Sequence, residues 1–407
     1  MSKTMKLSEE LAWRGFVTNH TFNNIEELDE KPHAFYLGTD PSADSLHIGH
    51  LAALMMCACF AKHGYKPYFL VGGATGQIGD PKDTVERDLK SLDEIERNKK
   101  ALKVQMEKVT NLKDTTMVDN LDWFKDIKFL PFLREIGKSF SMTQLLDRQF
   151  VQNRIGEGGS GISYAEFSYT LIQGYDFLHL YRTYGIDLQL CGSDQTGNCA
   201  SGIHLIKRLE NADAHFFACP LIIDKSTGRK FGKSEGNAVW LDANKTSIFD
   251  FYQFWYNQAD ASLEDYFKYF TFIQPEELDE ILSEHLKSPE KRIGQKELAF
   301  RTTEIVHGKS AAESAQNITE ILFGSQDILK LSSEDIKQLK QAIPTFKLGT
   351  SIIDALINSE LASSKTTARQ LLSSGAISIN GKKISEDSTV DKPSLLKKGK
   401  NKFILFS

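Results

Sequence analysis

His47 and His50 stand three residues apart, where the apolar run 33–37 gives way through a Gly- and Pro-containing turn to a helical pattern. The spacing predicts a helix from residue 46 to a stop at His63-Gly64, capped by Asp44 or Ser45, with both rings on one face of its first turn. Two imidazoles beside unsatisfied backbone N–H groups, at the positive end of a helix dipole, make a site for a phosphate. Gly49 between them leaves room for a ribose or a flat ring against the backbone. A lone His-x-x-His is more often one capping residue and one solvated one, so the weight falls on what else the chain supplies.

It supplies a polar stripe. Tyr169, Gln173 and Asp176 lie at i, i+4 and i+7 of the segment 163–177, whose other positions include Phe167, Leu171, Ile172 and Phe177. On a helix the three share a face, and burying them costs energy unless a ligand or an internal network bonds them. Asp80 ends a glycine run (Gly72 to Gly79), with Lys82 and Arg87 close behind. Asp194 and Gln195 follow Gly192 at the end of another apolar run, and residues 228–234 form a cationic, glycine-hinged loop carrying Lys230, Lys233 and Ser234.

Apolar runs at 33–37, 67–71, 186–191 and 215–223 alternate with helical patterns, which predicts βαβ units and a doubly wound, Rossmann-like parallel sheet. Tyr36, Asp80 and Asp194 then fall at strand ends that share one crevice. The glycines at 73, 76 and 79 are not a dinucleotide fingerprint, since their spacing is wrong and no helix opens on them. Residues 89–109 read as a solvated helix and 156–161 as a flexible connector. Residues 120–150 carry more large apolar side chains than their own burial needs, which points to a subunit interface. The expected domains are 1–225 (catalytic, with an insertion at about 120–162 forming a homodimer interface), 226–345 (the cationic loop and an α-helical domain) and 346–407 (a small basic α+β domain). In the last, basic residues outnumber acidic ones, including Lys365, Arg369, Lys382 and Lys383, which suits a phosphate backbone.

Composition sets bounds on these readings. The 407 residues exceed one ordinary core, and the hydrophobic (41%) and charged (25%) fractions are those of a soluble globular protein. A net charge of −5 excludes nucleic-acid binding through the whole-molecule field, so it must rest on local patches. Five cysteines without a Cys-x-x-Cys pair predict buried free thiols rather than disulfides or a zinc site. No run is long enough to span a membrane, and residues 1–16 form an amphipathic helix rather than a leader, so a cytoplasmic protein is expected.

Taken together, His47-Ile48-Gly49-His50, the Gly-Gly-Ala-Thr-Gly run, the Tyr169/Gln173/Asp176 helix, Gly192-Ser193-Asp194-Gln195 and Lys230-Phe231-Gly232-Lys233-Ser234 resemble the bacterial-type tyrosyl-tRNA synthetases of class I, in order and over essentially the full length. The resemblance implies tyrosine activation by ATP, with Mg2+ on the phosphates and no permanently bound metal, followed by transfer to tRNA(Tyr). It implies that His47, His50, Lys230, Lys233 and Ser234 serve the phosphates, and that Gly38, Asp40, Gly49, Arg87, Gly192 and Asp194 lie along the nucleotide. Asp80, Tyr169 and Gln173 would hold the tyrosine ammonium, Tyr36 and Asp176 the phenol, and Gln195 would lie near the carboxylate. The final segment resembles a small RNA-binding domain that this family shares with a ribosomal protein. Leu37, Ala53 and Thr196 depart from residues common in the family near the nucleotide. A tryptophan-specific synthetase shares the sheet and both signatures, but an indole donates one hydrogen bond and accepts none, which fits poorly opposite Tyr36 and Asp176. A small-molecule nucleotidyltransferase would not need the C-terminal domains, and a silent RNA-binding paralogue would not need the buried polar groups.

Overall fold

The computed structural model describes residues 5–81, 89–112, 115–146, 148–223, 228, 238–323, 330–399 and 401–407. The chain divides into two compact units, residues 1–238 with 264–273, and residues 239–263 with 274–407.

The first unit is built on a six-stranded sheet among the described residues. Its strands are β1 (Asn19–His20), β2 (Ala34–Thr39), β3 (Lys66–Val71), β4 (Thr116–Asp119), β5 (Leu188–Gly192) and β6 (His215–Cys219). Their order is β1-β6-β5-β2-β3-β4, all neighbours parallel except the β1–β6 pair. From β2 the chain winds outward through β3 to β4 and then resumes on the other side with β5, so the switch point lies between β2 and β5. Ligands of open α/β sheets bind there, beyond the carboxyl ends of the strands. Two strands lacked a legible sequence pattern: β1 has two residues, and β4 is a four-residue Thr-Met-Val-Asp run too short to show a period.

Five helices of this unit matter to the site: α1 (Leu7–Arg14), α2 (Ile48–Lys62), α3 (Leu92–Thr110), α4 (Tyr164–Tyr184) and α5 (Thr196–Glu210). Helix α2 is apolar almost all round because it is almost wholly buried. Helix α3 is less solvated than its charges suggest. Ile95, Leu102, Met106 and Val109 are buried, Asn98 Nδ2 donates to the Pro41 carbonyl (2.9 Å), and Gln105 Oε1 accepts from the Leu46 N–H (2.7 Å), so α3 holds the turn before α2. The glycine-rich 156–161 stretch is pinned rather than loose. Arg154, 2% exposed, donates to the Gly161 carbonyl and makes a two-pronged bond to buried Glu166.

In the second unit the helices Ile248–Tyr256, Ile293–His307, Lys309–Phe323 and Ser333–Ala342 are followed by a small sheet that includes Ser394–Lys398 and Lys402–Phe406. The boundary expected at 345/346 falls inside a short strand, Thr345–Phe346, which pairs in parallel with Lys402–Phe406. Phe249, Ile318, Leu322 and Leu339 of the helices share one core cluster with Leu395, Phe403 and Leu405 of the sheet. Apolar surface on both segments is buried by joining them, which composition alone did not reveal. All five cysteines are free and buried, and among the described residues no helix is long and apolar enough to cross a membrane.

Candidate active site

A cavity of about 530 Å3 opens at the switch point. Thirteen residues singled out from the sequence line it: Tyr36, Gly38, Asp40, His47, Gly49, His50, Asp80, Tyr169, Gln173, Asp176, Gly192, Asp194 and Gln195. Leu37 and Ala53 line it as well. Lys82, Arg87, Lys230, Lys233 and Ser234 lie outside the described residues. Lys365, Arg369, Lys382 and Lys383 belong to the second unit, where all four are exposed.

The histidine pair corrects the expected cap. Helix α2 begins at Ile48, two residues later than predicted, and its N-cap is His47 rather than Asp44 or Ser45. His47 Nδ1 accepts from the Gly49 N–H (3.1 Å), and His50 Nδ1 accepts from the His47 N–H (3.2 Å). Each imidazole thus takes the part usually played by a Ser or Glu side chain in a capping box. Because Nδ1 accepts in both rings, a neutral imidazole must carry its proton on Nε2. The pair, with ring centroids 4.0 Å apart, therefore offers two Nε2–H donors at a helix N-terminus, the arrangement an anion needs.

Helix α4 supplies the stripe as its period predicts. Tyr169 Oη donates to Asp40 Oδ2 (2.8 Å), and Thr75 Oγ1 donates to Asp40 Oδ1 (2.6 Å). The Asn120 amide donates to Thr75 Oγ1 (3.1 Å) and to Asp176 Oδ2 (3.1 Å), and Trp123 Nε1 donates to Asp176 Oδ1 (2.9 Å). One chain of hydrogen bonds thus runs from Tyr169 to Trp123. Asp40, expected along the nucleotide, also bonds to Tyr169, a member of the expected ammonium set. The glycine run has a steric reason here, since a Cβ on Gly72 would meet Asp40 Oδ1 at 2.3 Å, and one on Gly73 would meet Asp119 Oδ1 at 2.2 Å. Only glycine lets the backbone pass so close to these carboxylates.

Thr75, Asn120 and Trp123 were missed from sequence. Asn120 and Trp123 sit just past β4, and recognising that strand would have placed them at the same sheet edge as the other candidates.

Among the described residues, two buried polar atoms of the cavity have no hydrogen-bond partner, the Tyr36 hydroxyl and Gln173 Oε1. Burial pushes the Tyr36 phenol well above its usual range, with the Cys199 thiol and the Asp176 carboxylate adding to the effect, so the hydroxyl stays a donor. Burial likewise raises Asp176 well above the usual carboxylate range, against the opposing bonds from Asn120 and Trp123. Tyr169 is held protonated by burial and by Asp40. An orphaned buried hydroxyl is costly, and it marks where a ligand's polar atom belongs.

The family model described as tRNA synthetases class I (W and Y) matches residues 28–324, and the model of the tyrosine-tRNA ligase SYY-like C-terminal domain matches residues 335–406. The tyrosine-tRNA ligase of Leuconostoc citreum is 41% identical, with 98% of this chain and 99% of that one covered. The chain belongs to the class I tyrosine-tRNA ligases. A C-terminally truncated mitochondrial tyrosyl-tRNA synthetase from Aspergillus nidulans superimposes with a TM-score of 0.70 at 29% identity, covering 79% of this chain and 95% of that one. A tryptophanyl-tRNA synthetase from Encephalitozoon cuniculi bound to tryptophan shares the fold at TM-score 0.56 and 15% identity, covering 82% and 91%. Tyrosine-tRNA ligases thus share their architecture with a synthetase for another amino acid, so the fold alone does not set which amino acid is taken.

Proposed function

We propose that this cavity joins L-tyrosine to the AMP portion of ATP with release of pyrophosphate, and then passes the tyrosyl group to the terminal ribose of tRNA(Tyr). The observation that carries the reading is the partnerless Tyr36 hydroxyl in a cavity it shares with Asp176. A substrate phenol satisfies both, accepting from Tyr36 and donating to Asp176. Phenylalanine would leave both without that partner, and an indole N–H could serve Asp176 but not Tyr36.

The tyrosine ammonium goes among Asp40, Asp80, Tyr169 and Gln173, where Gln173 Oε1 awaits a donor. The carboxylate that attacks the α-phosphorus is already ionised near neutral pH, so the step needs positioning and charge stabilisation rather than a general base. His47 and His50 donate to the phosphate oxygens, joined by Lys230, Lys233 and Ser234 and by Arg87. Mg2+ enters with the ATP phosphates as part of the substrate. Gly38, Gly49, Gly192 and Asp194 lie along the nucleotide. Lys365, Arg369, Lys382 and Lys383 contact the tRNA backbone.

The working enzyme is a homodimer in the cytoplasm. Phe129, Leu130 and Met142, at 61%, 74% and 57% exposure, supply an apolar patch for the partner subunit, and five free thiols suit a reducing compartment. Pyrophosphate exchange with ATP and each of tyrosine, phenylalanine and tryptophan tests the reading. Exchange with tyrosine at least a thousandfold above the other two is expected, and equal exchange with tryptophan would overturn it.

A further inference from the structure

Gln195 borders the cavity with its amide nitrogen donating to Asp80 Oδ2 (3.0 Å). A primary amide is nearly symmetric in shape, so something must decide which end faces the substrate. The deciding contacts run back through Asn198 to Arg148. Asn198 Nδ2 donates to Gln195 Oε1 (3.1 Å). Asn198 Oδ1 in turn accepts from Arg148 Nη1 (3.1 Å) and from Thr170 Oγ1 (3.0 Å). The Arg148 guanidinium is itself fixed, donating also to Thr170 Oγ1 (2.9 Å), the Gly197 carbonyl (2.9 Å) and Ser201 Oγ (2.7 Å).

The polarity of this chain is forced at both ends. A guanidinium can only donate, so the Asn198 oxygen must face it and the Asn198 nitrogen must face Gln195. An ionised carboxylate can only accept, so the Gln195 nitrogen must face Asp80. Reversing either amide would set donor against donor or acceptor against acceptor. The cavity also carries Asp40, Asp176 and Asp194, which makes a donor facing the substrate carboxylate scarce and a further acceptor there repulsive.

We propose that Arg148 and Asn198 are positioning residues that hold the Gln195 amide with its NH2 toward the amino-acid site, one N–H on Asp80 and the other, which makes a long bond to Asp194 Oδ2 (3.4 Å) in this structure, turning to the carboxylate of the substrate when it binds. The proposal rests on the reading that Gln195 meets that carboxylate. It adds two residues, one of them on a different segment of the chain, to the determinants of amino-acid binding.

The test is Asn198→Asp, which keeps the shape and strengthens the bond to Arg148 but turns an acceptor toward Gln195 and so reverses the amide. In pyrophosphate exchange the KM for tyrosine is expected to rise roughly tenfold. Inhibition by tyrosinol, which has a hydroxymethyl group in place of the carboxylate but keeps the ammonium near Asp80, should weaken by clearly less than the tyrosine KM rises. Equal losses for tyrosine and tyrosinol would mean a general structural role and overturn the proposal, as would no loss at all. A new charge could also repel the substrate carboxylate through space, and a double-mutant cycle with Gln195→Ala separates the two routes. If Asn198 acts through the amide, Asn198→Asp adds nothing to the tyrosine-to-tyrosinol ratio once Gln195 is gone. A full effect in the Gln195→Ala background would overturn the proposal and leave Gln195 at the carboxylate. If Gln195→Ala alone does not alter the ratio, the placement of Gln195 and the proposal built on it fall together.

Discussion

In the proposed reading, Asp176 and Trp123 decide the amino acid at the scale of single side chains. Trp123→Phe keeps most of the ring's packing but deletes the N–H on Asp176 Oδ1. A hydrogen bond to a charged group contributes about 1.5–3 kcal/mol, so kcat/KM for tyrosine should fall roughly tenfold to a hundredfold. Phenylalanine, which has no hydroxyl for Asp176, should lose far less, and exchange assays with the two amino acids check the narrowing of selectivity. The same carboxylate predicts a pH dependence. On that reading Asp176 accepts from the substrate phenol when ionised, and burial raises its pKa, so protonated enzyme persists above the usual carboxylate range. Tyrosine affinity should therefore climb as pH rises through the Asp176 value and then level off. In Asp176→Asn that limb should vanish along with most of the affinity, as equilibrium binding across pH 5 to 8 would show.

Among the elements, α1 and α2 are joined through one buried acid, Glu10, at 1% exposure. It accepts from Arg14 Nε (3.0 Å), from Lys62 Nζ (3.0 Å) and from His63 Nε2 (2.8 Å), which carries the donor proton in this pairing. Arg14 continues to the carbonyls of Lys268, Thr271 and Ile273, which ties the helix Leu263–Phe270 to α1. Burial alone would raise the Glu10 pKa, but the bonds from His63 and Lys62 and the charge of Arg14 outweigh it and hold the value down to about 2, from 4.5. A depressed carboxylate stabilises the fold above its unfolded pKa and loses that contribution as pH falls through the folded one. Glu10→Gln should thus cost about 3 kcal/mol at pH 7. The gap between the two proteins in urea unfolding should narrow as pH is lowered from about 4.5 toward 2. None of this was legible in the sequence, because Glu10 and Lys62 lie 52 residues apart and meet only in the fold. The strand-helix rhythm, the α4 stripe and the glycine run were legible, since each depends on a local period or on local sterics. Strand β4 was not, and with it went Asn120 and Trp123. The α2 cap was misread because a histidine took a role that propensity gives to Asp or Ser.

At the scale of the whole molecule, the second unit decides what a deletion means. The boundary near residue 345 invites removal of the C-terminal segment as a separate module. Yet Leu395, Phe403 and Leu405 belong to the same cluster as Phe249, Ile318 and Leu322, and Lys397 Nζ donates to the Leu322 carbonyl (3.3 Å). Truncation at 344 would expose that face of the helices, and each large side chain left uncovered costs roughly 1.5–3 kcal/mol. The truncated chain should therefore lose the unfolding transition of the helical segment and become protease-sensitive between residues 274 and 342. Tyrosine-dependent pyrophosphate exchange, proposed above for the cavity of the first unit, should survive at the temperature where that unit stays folded. Loss of tRNA charging in such a truncation would thus not isolate the side chains proposed to meet the tRNA. Charge removal does, because Lys365, Arg369, Lys382 and Lys383 are exposed and their replacement by Gln leaves the cluster intact. The fourfold variant should keep its melting curve and its exchange rate while its affinity for tRNA falls. The slope of log affinity against log salt should become shallower by up to about 0.9 for each phosphate that the variant no longer neutralises. An unchanged slope would place the tRNA backbone on another face of the second unit.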